Sequence, residues 1–474
     1  MKNRYLQIII GAMLSFTAAY WFGWLFTNLF FVAALGAVVV LFVFASVRRT
    51  LMNYLLPLSV LMVPLTHIIM LYRRVVSLAH IVIGVVSVVI VVQALANRRI
   101  RRLTAYEVSF VLFVLYLGIT ILWARDPRNS LVQYFSVIVA TAMLLAARQI
   151  PQCIEIRSAL RGAIVAAGVL VSILAILQIN YGERFFPSFF SSDVPVTVLK
   201  AHETEKRIVR SARATGTFLN PNSLGVFLLF PLVMLGEELK KRKTAIHAGL
   251  FILLLCGVLV TFSRGAYILA ILGLVLIYLC DKHDVYFTVN VVALMVIFFV
   301  VYEVFLADYV EVVKYMFSRG ESHSLDRESR YSFWVMSLKL MNISPIWGLG
   351  YGNVGYILEH AFLGFDPHSS YLRLLLDHGI VGLSLFMAFL TSVLKKLMYY
   401  GAAHLEELRP AFIVFVLYSI SLMIDGFLLD EPFIYLLPAI YLTTFDVTCS
   451  SQLSIPDVAE KSSAPLLQEI ISEK

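Results

Sequence analysis

The sequence predicts an all-α polytopic membrane protein with about fourteen transmembrane helices. Three observations carry that reading. The chain of 474 residues is 60% hydrophobic and only 14% charged, with a mean hydropathy of +0.85, far from the balance of a soluble domain. Apolar runs of about twenty residues recur from end to end, each long enough to cross a hydrocarbon core of about 30 Å as a helix. The period-two alternation of a membrane β-barrel does not occur.

In chain order, length and hydropathy place spans at roughly 6–24, 26–46, 51–71, 75–96, 106–123, 131–147, 161–179, 216–235, 245–262, 266–280, 286–305, 371–394, 411–428 and 432–446. The first has a short basic flank and no small-residue cleavage site after it, so it reads as a span rather than a removed signal. Short basic loops orient the rest, because Lys and Arg beside span ends stay in the cytoplasm. Arg48 with Arg49, "RRIRR" (98–102), Arg148 with Arg157 and Arg161, "KKRK" (240–243) and Lys395 with Lys396 all fall inside, as do both termini. Arg73 and Arg74 fall outside, which makes the third and fourth spans the departure from the pattern. The net charge of +8 is mostly this topological signal. A basic inner face also attracts anionic membrane lipid, and no nucleic acid is needed to explain the charge.

Cys153, Cys256, Cys280 and Cys449 map to a cytoplasmic loop, a span, a span end and the tail, leaving the outer loops without cysteine. Neither a disulfide framework nor a thiolate metal site is expected. Two outer segments, about 180–215 and 306–370, exceed ordinary connections, and long loops commonly carry function. Within the second, "ESRYSFWVMSLKLMN" (328–342) sets Tyr331, Trp334, Val335, Leu338 and Met341 on one helical stripe, as in a helix lying on the membrane surface. "ISPIWGLGYGNVGYI" (343–357) follows as a turn-rich stretch. The chain therefore divides into N-terminal spans with the first long outer loop (1–205), a membrane region that includes outer loop 306–370 (206–446), and a polar, flexible cytoplasmic tail (447–474).

Gly350, Gly352 and Gly355 in "GYGNVG" match the dinucleotide fingerprint letter for letter. That fingerprint needs a strand before it and a helix after it, which an outer loop between spans does not supply, so the glycines are expected to shape a tight turn. Three other stretches belong together: "RATGTFLNPNSLG" (213–225), "TFSRGAY" (261–267), and "SRYSFWVMSLKLMNISPIWGLGYGNVGY" leading to "HSSYLRLLLDHGIVG". In this order they resemble the O-antigen ligase and O-antigen polymerase superfamily of bacterial envelope glycosyltransferases, over roughly residues 210 to 395.

The resemblance implies a GT-C-like membrane fold and transfer of a glycan from a polyprenyl (undecaprenyl) diphosphate carrier to an acceptor hydroxyl at the outer face of the cytoplasmic membrane. It implies inversion at the anomeric carbon, no cofactor and no metal. The family's diphosphate-holding arginines and acceptor-side histidine fall on Arg264, Arg330 and His368, with Arg213 as a further candidate. The outer loop between Arg330 and His368 is short for the family.

The residues support this chemistry on their own terms. A lipid diphosphate sits at headgroup level, where planar, always-charged guanidinium is the suited cation. Arg264 interrupts an apolar hairpin, and in hydrocarbon it would cost about 2.5–3.5 kcal/mol; it either binds such an anion or snorkels to lipid phosphate. Arg330 lies one turn before the anchoring Trp334. Arg213 and Arg210 share a basic approach to the membrane with Lys206 and Arg207. Asn220 and Asn222 flank Pro221 inside an expected span, reading either as a structural kink or as substrate contacts. Asp366 and Pro367 are expected to open a helix whose first turn holds His368, with Ser369 and Tyr371 beside it. The helix dipole there favours a neutral imidazole able to take a proton from a sugar hydroxyl.

Asp326 and Glu328 are rival bases or a solvated loop, and His202 with Glu203 is too small a set for a metal. The expected partners are a polyprenyl-diphosphate-linked glycan donor, and lipid A core or a carrier-linked glycan as acceptor, in lipopolysaccharide or other envelope polysaccharide synthesis. Two other classes compete. A lipid-linked-sugar or solute transporter would use intramembrane groups such as His80, Glu303 and Asp425, and a non-enzymatic assembly component would need none of the site residues.

Overall fold

The computed structural model describes residues 49–66, 70–72, 76–98, 100–150, 154–181, 197–198, 212–218, 220–282, 337–354, 369–402, 406–424, 426 and 428–445. The expected spans 6–24, 26–46 and 286–305, the tail, and most of both long outer segments lie outside these residues.

The described part is helical. Helix α1 (Arg49–Met62) runs into a 3-10 turn at Val63–Leu65 and then the small antiparallel pair β1 (Met70–Tyr72) and β2 (Val76–Ser77). Helix α2 (Leu78–Ala96) starts from a capping box in which Ser77 Oγ accepts from His80 N and the His80 ring reaches back to Ser77 N. Helix α3 (Ala105–Thr120) begins where Glu107 accepts from both the amide and the hydroxyl of Thr104, and it ends in a 3-10 turn at Ile121–Trp123. Asp126 caps α4 (Pro127–Gln149), with Pro127 in the first position that suits it. Then come α5 (Ile154–Tyr181), the antiparallel pair β3 (Thr197–Val198) and β4 (Ala212–Arg213), α6 (Pro221–Lys241), α7 (Ala245–Leu259), α8 (Arg264–Lys282), α9 (Ser370–Ala402), α10 (Arg409–Ile424) and α11 (Pro432–Thr443).

Each of these helices overlaps an expected span, although the one expected at 51–71 is α-helical only to Met62 and reaches β1 at Met70; six of the helices are long and apolar enough to cross a membrane. The others that are apolar are shorter, so the expected count of fourteen is not reached among the described residues. Helix α6 lies at the centre, buried for most of its length and packed by α5, α7, α8 and α10. Around it, α9 lies along α3 and α2 along α4.

Several of the expected basic residues form a layer of ion pairs at the far end of α6. Arg161 pairs with Glu238, Arg157 with Glu407, Lys241 with Glu406, and both Lys240 and Arg409 with Glu237. Arg148 faces the buried Glu107 at 3.8 Å. Each partner lies close to a helix end, so the layer marks one surface of the bundle.

Two local expectations are corrected. Residues 216–218 and 220 are not helical: Asn220 is the N-cap of α6 and Pro221 its first residue, so the proline starts the helix instead of kinking its interior. The second correction is in α9, which is interrupted at Gly379 by φ 64° and ψ −168°. Apolar periodicity runs straight through that residue, so pattern alone predicted a continuous span.

Candidate functional site

Three segments meet at Arg213. Its Nε donates to Thr261 O at 3.1 Å and its Nη2 to Asn222 Oδ1 at 3.0 Å. The next amide, Ala214 N, donates to Val260 O at 3.0 Å. The strand before α6 is thereby joined to the turn before α8. Gln178, buried near the end of α5, holds the same loop: its Oε1 accepts from Thr215 N and Gly216 N at 3.0 and 2.9 Å, and its Nε2 donates to Thr215 Oγ1.

The two helices begin side by side. Asn220 Oδ1 accepts from Asn222 N at 2.9 Å at the head of α6, and Ser263 Oγ accepts from Ala266 N at 3.3 Å at the head of α8. A Cβ on Gly225 would stand 2.4 Å from the Cβ of Ala266, so the first turns of the two helices touch. Farther along, a Cβ on Gly273 would stand 3.3 Å from Val233 Cγ2; the helices run parallel from this shared start. Two helix N-termini in contact concentrate partial positive charge.

Arg264, exposed as the first residue of α8, adds a full charge there. At that end the macrodipole disfavours a cation by about 0.3–1 kcal/mol, so its place is unfavourable for the helix alone and favourable once an anion is present. The turn that presents it is strained, with Phe262 at φ 46°, a region non-glycine residues seldom occupy. All of this lies at the opposite end of α6 from the ion-pair layer.

A second polar centre surrounds the break in α9. An interrupted helix leaves carbonyls and amides that must find partners in an apolar setting, and the glycine-rich loop 345–350 supplies them. Leu349 N and Gly350 N donate to Leu376 O and Asp377 O at 2.8 and 2.9 Å, and Ile380 N and Val381 N donate to Pro345 O and Ile346 O at 2.9 and 3.3 Å. Asp377 Oδ1 accepts from Val354 N at 2.9 Å. The fit needs glycine: a Cβ on Gly348 would fall 2.4 Å from Asp377 O. Of the glycines expected to shape a tight turn, Gly350 and Gly352 have positive φ, as does Gly348 before them; Gly355 lies outside the described residues.

His378 and Tyr351 complete this centre. Thr120 Oγ1 donates to Leu117 O at 2.7 Å, so it accepts from His378 Nδ1, 2.9 Å away. The lone pair of the imidazole is then on Nε2, which is buried without a hydrogen-bond partner, as are Asp377 Oδ2 and the Tyr351 hydroxyl. The Tyr351 and His378 rings meet edge to face at 5.3 Å.

Of the residues expected from sequence, Arg213, Asn220, Asn222 and the turn carrying Arg264 are brought together. Ser369 sits at the head of α9, where its Oγ is 3.5 Å from Leu372 N, and the Tyr371 hydroxyl donates to Ser419 O on α10 at 2.9 Å. His368, Arg330, Arg210 and Trp334 lie outside the described residues, as do Asp366 and Pro367. Sequence reasoning passed over Gln178, a polar residue near the end of an apolar run, and Thr261 and Ser263, which "TFSRGAY" contains. It also passed over Arg373, whose Nη1 donates to Gly426 O and Asp430 Oδ2 at 2.9 and 2.8 Å and ties α9 to the link between α10 and α11. Among the described residues no group of three His, Cys, Asp or Glu is placed to hold a metal.

Residues 249–387 match the family model described as O-Antigen ligase. The match covers "TFSRGAY", the 328–357 stretch and the opening of α9, and it bears out the resemblance to the O-antigen ligase superfamily. "RATGTFLNPNSLG" lies before it. No curated protein matches the chain.

Proposed function

We propose that this chain is an inverting, metal-independent glycosyltransferase of the O-antigen ligase or polysaccharide polymerase type, working at the outer face of the bacterial cytoplasmic membrane. The observation that carries the reading is the pair of touching helix N-termini, spanned by Arg213 and headed by the exposed Arg264, away from the ion-pair layer. Such a cradle suits a diphosphate, whose charge would meet two helix ends and the guanidiniums of Arg264 and Arg213; Arg330, outside the described residues, is assigned to the same anion.

In the reaction, the acceptor hydroxyl oxygen bonds to the anomeric carbon as the bond from that carbon to the diphosphate oxygen breaks. The carrier leaves as polyprenyl diphosphate, its charge held by the arginines. His368, two residues before α9, takes the hydroxyl proton. A single displacement inverts the anomeric centre, and no second carboxylate is required. Asn220, Asn222, Ser369 and Tyr371, with Arg210 and Trp334 from outside the described residues, are assigned to donor and acceptor binding.

The transporter reading has less support. The break in α9 is bonded to the 345–350 backbone. Both His80 ring nitrogens are within hydrogen-bond distance of serine hydroxyls, Ser77 at 2.8 Å and Ser136 at 3.1 Å. Glu303 and Asp425 lie outside the described residues.

The test is reconstitution with a polyprenyl-diphosphate-linked oligosaccharide and either lipid A core or a second carrier-linked repeat, with and without EDTA. Product on one acceptor alone assigns ligase or polymerase. Arg264→Ala, Arg330→Ala and His368→Ala should each lose transfer while eluting and melting as folded protein. Wild-type turnover in both arginine variants would overturn the diphosphate assignment.

A further inference from the structure

We propose that residues 343–347 form an interfacial anchor on the lipid leaflet, with Ile343, Ile346 and Trp347 at the boundary between headgroups and acyl chains. This rests on reading α3 and α9 as membrane spans, and it brings part of the expected outer loop down to the bilayer boundary.

Depth comes first. The Tyr116 hydroxyl is 3.2 Å from Trp347 O and 3.1 Å from His378 O, and Tyr116 lies four residues before the end of α3. The Thr120 hydroxyl, at the end of α3, meets His378 Nδ1 at 2.9 Å, and Tyr351 N is 3.5 Å from Thr120 O, so the loop packs at the level of the last turn of α3.

The outward face of the loop is apolar. Ile343 is 69% exposed, Ile346 53% and Trp347 58%. The neighbouring helix α3 also has an exposed apolar stripe, Val108, Leu112, Leu115 and Ile119, whose spacing of three and four residues is that of one helix face, and Leu122 in the 3-10 turn after it is exposed as well. Ile380, directly after the break in α9, is exposed at 51%, and its amide bonds to Pro345 O of the loop. No charged residue occurs from Leu340 to Leu358, and tryptophan favours the bilayer boundary.

The inward side is polar and engaged. Irregular backbone is tolerated at membrane depth where its polar groups are satisfied by protein. Here Pro345 O, Ile346 O, Leu349 N and Gly350 N bond to α9, and Gly348 N bonds to Ser344 O. A loop built for water would have no need of this division between apolar outside and bonded inside.

The experiment uses the full chain in phosphatidylcholine vesicles containing lipids brominated near the top of the acyl chain. The Trp347 signal is the difference between wild type and Trp347→Phe, and Ile346→Trp in the Trp347→Phe background provides a second reporter. Leu115→Trp, in the middle of the α3 stripe, tests the span itself. The expected result is loss of most of the residue-347 and residue-346 emission to bromolipid, with little loss to aqueous iodide. Quenching by iodide, or protection from both quenchers because protein covers the loop, would overturn the proposal. If Leu115→Trp is quenched by bromolipid in either of those cases, the anchor fails while the span reading stands.

Discussion

Replacing Gly379 with alanine should release the 345–350 loop from α9. The backbone at Gly379, φ 64° and ψ −168°, belongs to a region that is nearly glycine-only and costs other residues about 1–3 kcal/mol. An added Cβ would stand 2.2 Å from Ile346 O and 2.6 Å from Gly348 N. Both are backbone atoms, so no side-chain rotation relieves the clash and the loop must move. Ile380 N and Val381 N then lose Pro345 O and Ile346 O, and each buried amide left unsatisfied costs about 1–3 kcal/mol. The combined penalty is roughly 3–9 kcal/mol, comparable to the whole stability of many domains.

The assay is thermal unfolding in a lipid nanodisc, followed by tryptophan fluorescence, with limited proteolysis across 343–350 as a local readout. Gly249→Ala on α7 is the control: nothing lies within 4 Å of a Cβ there, and alanine should add up to about 1 kcal/mol of helix propensity. If α9 instead straightens and survives, the loss appears as protease sensitivity of the expelled loop. Gly379→Ala that melts with wild type and keeps its loop protected would refute the reasoning.

Three further outcomes are expected. Gln178→Leu removes acceptors from Thr215 N and Gly216 N and should destabilise that loop by roughly 2–4 kcal/mol; faster amide exchange at 215 and 216 checks it, and unchanged protection would count against it. Arg213→Lys keeps the charge but loses the planar fork to Thr261 O and Asn222, so transfer at low donor concentration should fall roughly tenfold, measured as initial rate against donor. Tyr351→Phe removes a buried hydroxyl without a hydrogen-bond partner and should leave stability equal or raise it by up to about 1–2 kcal/mol; a marked drop in melting temperature would show that the hydroxyl is bonded.

Much of the fold was legible in the chain. Spans predicted at 106–123, 245–262 and 266–280 meet helices at Ala105–Thr120, Ala245–Leu259 and Arg264–Lys282, because a run of apolar residues of the right length is a local property. The arginine of "TFSRGAY" was found for the same reason: a charge between two apolar runs stands out. Pro221 was misplaced because a proline between two asparagines reads the same inside a helix and at its start. The cap geometry at Asn220, and the touching of Gly225 and Ala266, depend on a neighbouring helix that no local window contains.

Composition and periodicity by themselves determined that this chain is built of apolar helices and where most of the described ones lie. Only the tertiary structure decided that Arg213 joins the starts of α6 and α8, that Gln178 from α5 supports that junction, and that the loop at 345–350 completes a broken α9. The physical reason is range. Burial and helix propensity act on neighbours along the chain, whereas hydrogen bonds such as Leu349 N to Leu376 O exist only after packing has brought distant segments into contact.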